Sequence, residues 1–374
     1  MVRVIFIFSF MILAMLFQGC ATKEVKVEQG VVVFPPPPSE PRVLYLETYR
    51  GKKDSAPKLS PLDVFLGETI ESKSLDPVII KPYGVTLDNN TAYVVDTAAR
   101  FIYAIDQKTK DVIYIGRSGA GTLSGPVDVA FDSAGILYVS DMRQKKIFAF
   151  NKKGEFQFAI GGRLDFMHPT GIAIDKKLNR LYVADTKAHR FKAFDLKTKK
   201  LIFEVGKRGG GDGEFNFLTN IAIDRRNNNI IVADTQNFRI QVFDKNGKFI
   251  RKFGKVGDRA GDFARPKGVA VDSEGHIYVT DSAFNNIQIF SEDGKLLLFF
   301  GHAGYTEPGT FRLITGIYID ENDKILIADG FTGRAQTFQY LSKNWKLKHP
   351  KEYKELKEFK PKAETKTKTE VEKK

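Results

Sequence analysis

Between Pro82 and Leu341 short apolar runs alternate with polar turns, and the alternation recurs as a unit of 43 to 49 residues. Each unit reads as a Gly-containing apolar run ending in Asp, a polar turn, and a second apolar run ending in Asp. A third run follows a polar or basic residue, and a fourth usually closes on Gly. The first Asp falls at Asp88, Asp132, Asp175, Asp224, Asp272 and Asp320. The second falls at Asp96, Asp141, Asp185, Asp234, Asp281 and Asp329. Short β-type runs at this period predict four-stranded blades repeated about an axis. Six copies predict six blades.

The fourth copy shows the strands best. Asn220–Asp224 alternates apolar and small residues at period two, and Ile230–Asp234 follows a segment rich in turn residues. Arg239–Asp244 resumes the alternation, and Phe249–Gly254 is the fourth strand. Between them Lys245–Asn246–Gly247–Lys248 signals a tight hairpin, because Asn-Gly readily supplies positive φ. No copy holds a helical apolar period of useful length, which argues against a helical solenoid. Gly206–Asn216, Gly254–Arg265, Gly301–Arg312 and the shorter Gly116–Gly125 link successive copies. Gly119–Ala120–Gly121 has the composition of a phosphate cradle, but its strand-to-strand setting makes it a blade crossover.

Pro266–Asp272, His276–Asp281 and Asn286–Phe290 resemble the NHL family of β-propeller repeats, and the resemblance covers about 260 of 374 residues. It implies an all-β, six-bladed propeller and leaves function open, since fold and site are separate arguments. The sequence of signal peptide, proline-rich leader, strand and repeats is similar to that of bacterial envelope lipoproteins carrying one such propeller. The sixth copy lacks a fourth run after Arg334–Leu341, whereas Val43–Tyr49 is apolar and belongs to no repeat. Val43–Tyr49 is therefore expected to close the sixth blade, covering an edge that β-proteins rarely leave open. Trp345–Lys348 competes for that place at lower loop entropy, but charge and Pro350 follow it directly.

The two ends set the domain boundaries. Residues 1–19 carry one early Arg and roughly 13 apolar residues, a secretory signal rather than a span of ~20. Phe17–Gln18–Gly19–Cys20 resembles a lipobox, with Leu16 one place too far from the only cysteine. That resemblance implies acylation at Cys20, an attachment to the membrane, and an outer-membrane address where two membranes exist. A single cysteine excludes an intrachain disulfide. Residues 20–41 read as a lipid-anchored polar linker in which Pro35–Pro38 is an extended, semi-rigid spacer. The propeller occupies 42–341, including a connecting segment at 52–80 without repeat pattern. From Lys343 onward 12 Lys stand against 6 Glu, so 342–374 is expected to be a mostly disordered tail that carries much of the +13 net charge.

Candidate chemistry is thin. Propeller lyases with NHL-like blades are implied to hold zinc through axial histidines, expected one residue before the blade Gly. Here those places are Tyr83, Val127, Thr170, Thr219, Lys267 and Thr315, and the five histidines are scattered, so no metal or other cofactor is expected. The paired aspartates recur in every copy and so serve the repeat: the first caps its turn, and the second is assigned an Asp–Arg bond to Arg190, Arg239 or Arg334, with Lys146 in a fourth copy. A basic pI of 9.4 would suit nucleic acid, but the export signal removes the chain from it. The resulting assignment is a non-enzymatic envelope lipoprotein whose propeller binds or scaffolds a protein, peptide or polysaccharide. A hydrolase or lyase at the central pore is the alternative, and a nucleic-acid-binding propeller the second. Partner contacts are assigned to Tyr83, Arg100, Arg143, Lys267 and Phe284, which occupy irregular places on the repeated scaffold.

Overall fold

Five four-stranded antiparallel sheets and one of five strands follow one another along the chain, as the repeat period requires. The computed structural model describes residues 31–51 and 78–359. The signal segment, Cys20, most of the 52–80 connection and residues 360–374 lie outside them. Within the first five blades the strands run in chain order, the first at the axis and the fourth outermost; in the sixth the three strands nearest the axis do so. The first strands are Pro82–Asp88, Pro126–Phe131, Pro169–Asp175, Asn220–Asp224, Pro266–Val271 and Ile314–Ile319.

Six apolar clusters sit between neighbouring blades, so the core is a ring rather than a centre. Period-two alternation explains this: each middle strand presents one set of side chains to the blade before it and the other to the blade after. The second strands are buried almost throughout, as in Leu181, Val183 and Leu137. Hydroxyl groups then stitch each of several blades to the start of the next blade's inner strand. Ser140 donates to the Thr170 carbonyl at 2.5 Å, Thr219 to the Lys267 carbonyl at 2.9 Å, and Thr280 to the Thr315 carbonyl at 2.7 Å.

Val43–Tyr49 closes the sixth blade, pairing antiparallel with Arg334–Tyr340 from Val43↔Tyr340 to Tyr49↔Ala335. The expected strand is in the expected place. Val33–Phe34 adds a fifth strand outside it. This corrects the spacer assigned to Pro35–Pro38, because pairing of Val33 with Leu44 folds those prolines into the turn of a hairpin. The tail is also more ordered than its composition implies. It forms α1 (Lys343–Lys348) and α2 (Pro350–Glu358), with the Ser342 hydroxyl capping α1 by accepting the Trp345 N–H. Trp345 and Leu356 are buried against Val33, Leu44 and Leu341, and Glu40 accepts bonds from Lys346 and Tyr353. Trp345–Lys348 is thus a helix covering the blade edge, and not its fourth strand.

Candidate functional site

The six inner strands come closest where four of them carry glycine: Gly84, Gly171, Gly268 and Gly316. A Cβ on Gly171 would lie 2.5 Å from the Asn220 Cα, and one on Gly84 2.5 Å from the Asp128 Cα. Only small residues fit at that level, unless a side chain turns along the axis. The second and fourth blades do place larger residues there, Asp128 and Asn220. Asn220 Nδ2 donates to Asp128 Oδ2 at 3.1 Å across the axis, between blades that are not neighbours. The same Asp128 oxygen accepts the Ile172 N–H at 3.0 Å, and Asn220 Oδ1 accepts the Val269 N–H at 3.1 Å. Two polar side chains therefore form the floor of the central channel.

Burial pushes the Asp128 carboxyl up to about 7, against the opposing effect of its hydrogen bonds. The unfolded chain ionises near the ordinary carboxylate value, so the folded state holds the extra proton between those two limits. Stability then falls as pH rises through that window, and the cost of a buried charge is fully present above it. Asp128→Asn keeps the acceptor oxygen without the charge. Thermal melts should show the variant more stable than wild type at pH 8 and nearly equal to it at pH 4.5. Equal differences at both values would show that Asp128 is ionised throughout.

Beyond the floor the channel widens to about 300 Å³, lined by Ala130, Ala173, Ala222, Ala270 and Tyr318 at the matched small-residue position. The opposite mouth, at the first-to-second strand turns, carries Lys176, Lys177, Arg225 and Glu321. Lys176 pairs with Glu321 at 3.2 Å, while Arg225 donates to the carbonyls of Ile319 and Asp320 at 2.9 and 2.7 Å. Among the described residues no three His, Cys, Asp or Glu side chains gather as a metal site would require.

The other face carries the crossovers between blades and the turns between second and third strands. Here the second Asp of each copy has a role that the sequence reading missed. Asp96 accepts the N–H groups of Ile80 and Lys81 from the crossover and of Ala98 and Ala99 from the turn. Asp141 does the same for Ser124, Gly125, Arg143 and Gln144. Only Arg239 and Arg334 make the expected Asp–Arg bond; Arg190 turns to Glu204 instead. The aspartates are clamps on the loops of this face.

All five residues assigned to partner contact lie at this face. Tyr83 and Lys267 start inner strands beside the axis; Arg100, Arg143 and Phe284 sit on turns farther out. Burial and the nearby Asp128 push the Tyr83 hydroxyl up to about 12, and burial with Arg265 alongside lowers the Lys267 ammonium. The reading missed the apolar residues among them. Ile80 (55%), Phe217 (40%) and Phe331 (61%) are exposed on the crossovers and turns, with Met167 and Leu313. Phe217 packs on His189, ring centroids 4.6 Å apart, and Arg312 lies over Tyr305 beside Phe331. For Ile80, Met167 and Leu313 the signal was available: an apolar side chain in the two residues before an inner strand, where no strand pattern requires one. Phe217 lies three residues before its strand, and Phe331 in a turn between the second and third strands. For Asp128 and Asn220 the signal was the loss of glycine from two of six matched positions.

The sequence matches the 6-bladed beta-propeller family over residues 125–204 and the NHL repeat over 215–243 and 263–290. Protein brain tumor of Drosophila melanogaster is 30% identical over 143 residues, 38% of this chain and 13% of that protein. The chain spans less than a fifth of the length of the curated relatives it matches. A protein of unknown function from Bacteroides thetaiotaomicron superposes with a TM-score of 0.58 at 17% identity, over 70% of each chain. A gluconolactonase from Xanthomonas campestris gives 0.56 at 13% identity, over 79% of this chain and 98% of its own. At such identities the likeness is one of fold.

Proposed function

We propose that this chain, an NHL-repeat six-bladed β-propeller, is a non-enzymatic binding or scaffold module that presents its crossover face to a protein or peptide partner in the bacterial envelope. One observation carries the proposal. Exposed Ile80, Met167, Phe217, Leu313 and Phe331 share a face with Arg100, Arg143 and Lys267, on loops fixed by buried carboxylates. Apolar anchors within a basic surround suit an amphipathic, acidic segment, which would bury the rings and pair with the cations. Polysaccharide is less well served, since exposed Ile, Met and Leu offer it no hydrogen bonds. The anchor belongs to the same proposal: acylated Cys20 would hold the propeller at a membrane surface.

The test is cross-linking in intact cells followed by membrane fractionation. Wild type should sediment with membranes and capture a defined partner. Phe217→Ser with Phe331→Ser should lose that partner while staying folded and membrane-bound. Lys153→Ala, on the opposite face, should keep it, and Cys20→Ser should leave the membrane fraction. A partner retained by the double serine variant would overturn the face assignment, and a soluble wild type the anchor.

A further inference from the structure

At the channel mouth two cations are spent on main-chain carbonyls and not on side-chain ion pairs. Lys177 Nζ donates to the Arg225 carbonyl at 2.7 Å, and the Arg225 guanidinium donates to two further carbonyls. Among the described residues neither forms an ion pair within 4.0 Å. The acids nearby hold main-chain N–H groups or a lysine, although the second Asp175 oxygen is buried without a hydrogen-bond partner. Asp175 Oδ1 accepts the N–H groups of Lys177 and Leu178, Asp320 Oδ1 accepts those of Asn322 and Lys324, and Glu321 pairs with Lys176. Both members of the Lys176–Glu321 pair are exposed, so opening it costs little. Below this mouth the lining is apolar, alanine with valine and isoleucine of the inner strands and one tyrosine, and the far end is stopped by Asp128 and Asn220.

We infer that the central channel is a second binding site, distinct from the crossover face, for a small carboxylate with an unbranched apolar chain. Its carboxylate would sit between Lys177 and Arg225, gaining charge-assisted bonds from donors now spent on carbonyls. Its chain would run along Ala173, Ala222 and Ala270 toward the polar floor, which limits its length. A cavity of about 300 Å³ is roughly twice the ~150 Å³ that takes up benzene, enough for about eight to ten non-hydrogen atoms. Pockets of this size with apolar walls and a few placed polar groups are the usual form of small-ligand sites.

Sodium octanoate is the probe, titrated calorimetrically into the full-length protein below its micelle concentration, with octan-1-ol and octylamine as neutral and cationic matches. Octanoate should bind one to one and at least ten-fold more tightly than either match. Lys177→Gln, on an exposed turn, should weaken octanoate several-fold with its thermal melt little changed, and Arg225→Gln about ten-fold. Ala222→Phe, which fills the channel, should abolish binding while a thermal melt confirms the fold. The inference fails if octanoate does not bind, if octylamine binds as well, or if folded Ala222→Phe binds unchanged.

Discussion

Removing residues 32–51 should abolish the cooperative fold of the whole propeller. The deleted strand pairs with Ala335 to Tyr340 of Arg334–Tyr340, every residue of which is buried. Without it, that strand becomes an open edge with unmatched N–H and C=O groups. The apolar loss is as large. Val33, Val43, Leu44 and Tyr49 are all buried, and full burial of each such side chain contributes about 1.5–3 kcal/mol. Four of them sum to roughly 6–12 kcal/mol, against a typical total stability of about 5–15 kcal/mol. The strand also reaches the first blade: the Ile79 N–H donates to the Arg50 carbonyl at 3.0 Å, and Lys110 pairs with Glu47. Ring closure and blade packing would fail together. Calorimetry should show no two-state transition for this deletion. Removing 350–374 instead takes away one buried leucine and the half-buried Tyr353, and should lower the melting temperature by only a few degrees. The opposite ranking would make α2, and not the N-terminal strand, the element that holds the ring closed.

The parts of this fold that repeat were legible in the sequence, and of the parts that occur once only the closing strand was. Period-two runs and paired aspartates recur six times, so accidental features cancel and the blades stand out. The closing strand could be placed because the sixth copy was visibly one run short. Pro35–Pro38 was misread because composition reports only local preference, while the partner strand that bends those residues back lies at Val43–Leu44. The tail misled for a related reason. Its lysines dominate the average, but Trp345, Tyr353 and Leu356 converge on one cluster once two short helices form. At the channel floor the difficulty was different. Asp128 and Asn220 are ordinary residues in ordinary strands, and only alignment of the copies on their glycines marks them as exceptions. What they do follows from convergence at the axis, which brings non-neighbouring blades within hydrogen-bond reach.

Loss of a single clamp should cost nearly as much as loss of a large core side chain. Asp141 is fully buried and accepts four main-chain N–H groups at 2.7 to 3.0 Å, two from the crossover and two from the turn. Hydrogen bonds to a charged group contribute about 1.5–3 kcal/mol, and a buried donor left without a partner costs about 1–3 kcal/mol. Water can reach some of the freed groups, since Arg143 is exposed, so the four losses do not simply add. A net loss of about 3–5 kcal/mol is expected for Asp141→Ala by that reckoning. The aspartate that opens the turn in the same blade provides the contrast. Asp132 accepts only the Ala134 and Ile136 N–H groups and the Tyr138 hydroxyl, and it is part-exposed, so Asp132→Ala should cost about half as much. Asp141→Asn keeps one acceptor oxygen and should fall between them. Urea unfolding measures all three, and hydrogen exchange places the damage. Faster exchange at Ser124, Gly125, Arg143 and Gln144 in Asp141→Ala would show that the carboxylate holds the loops of the crossover face. Unchanged protection there, with the same stability loss, would mean that the buried aspartates serve blade packing alone and that the loops owe their order to something else.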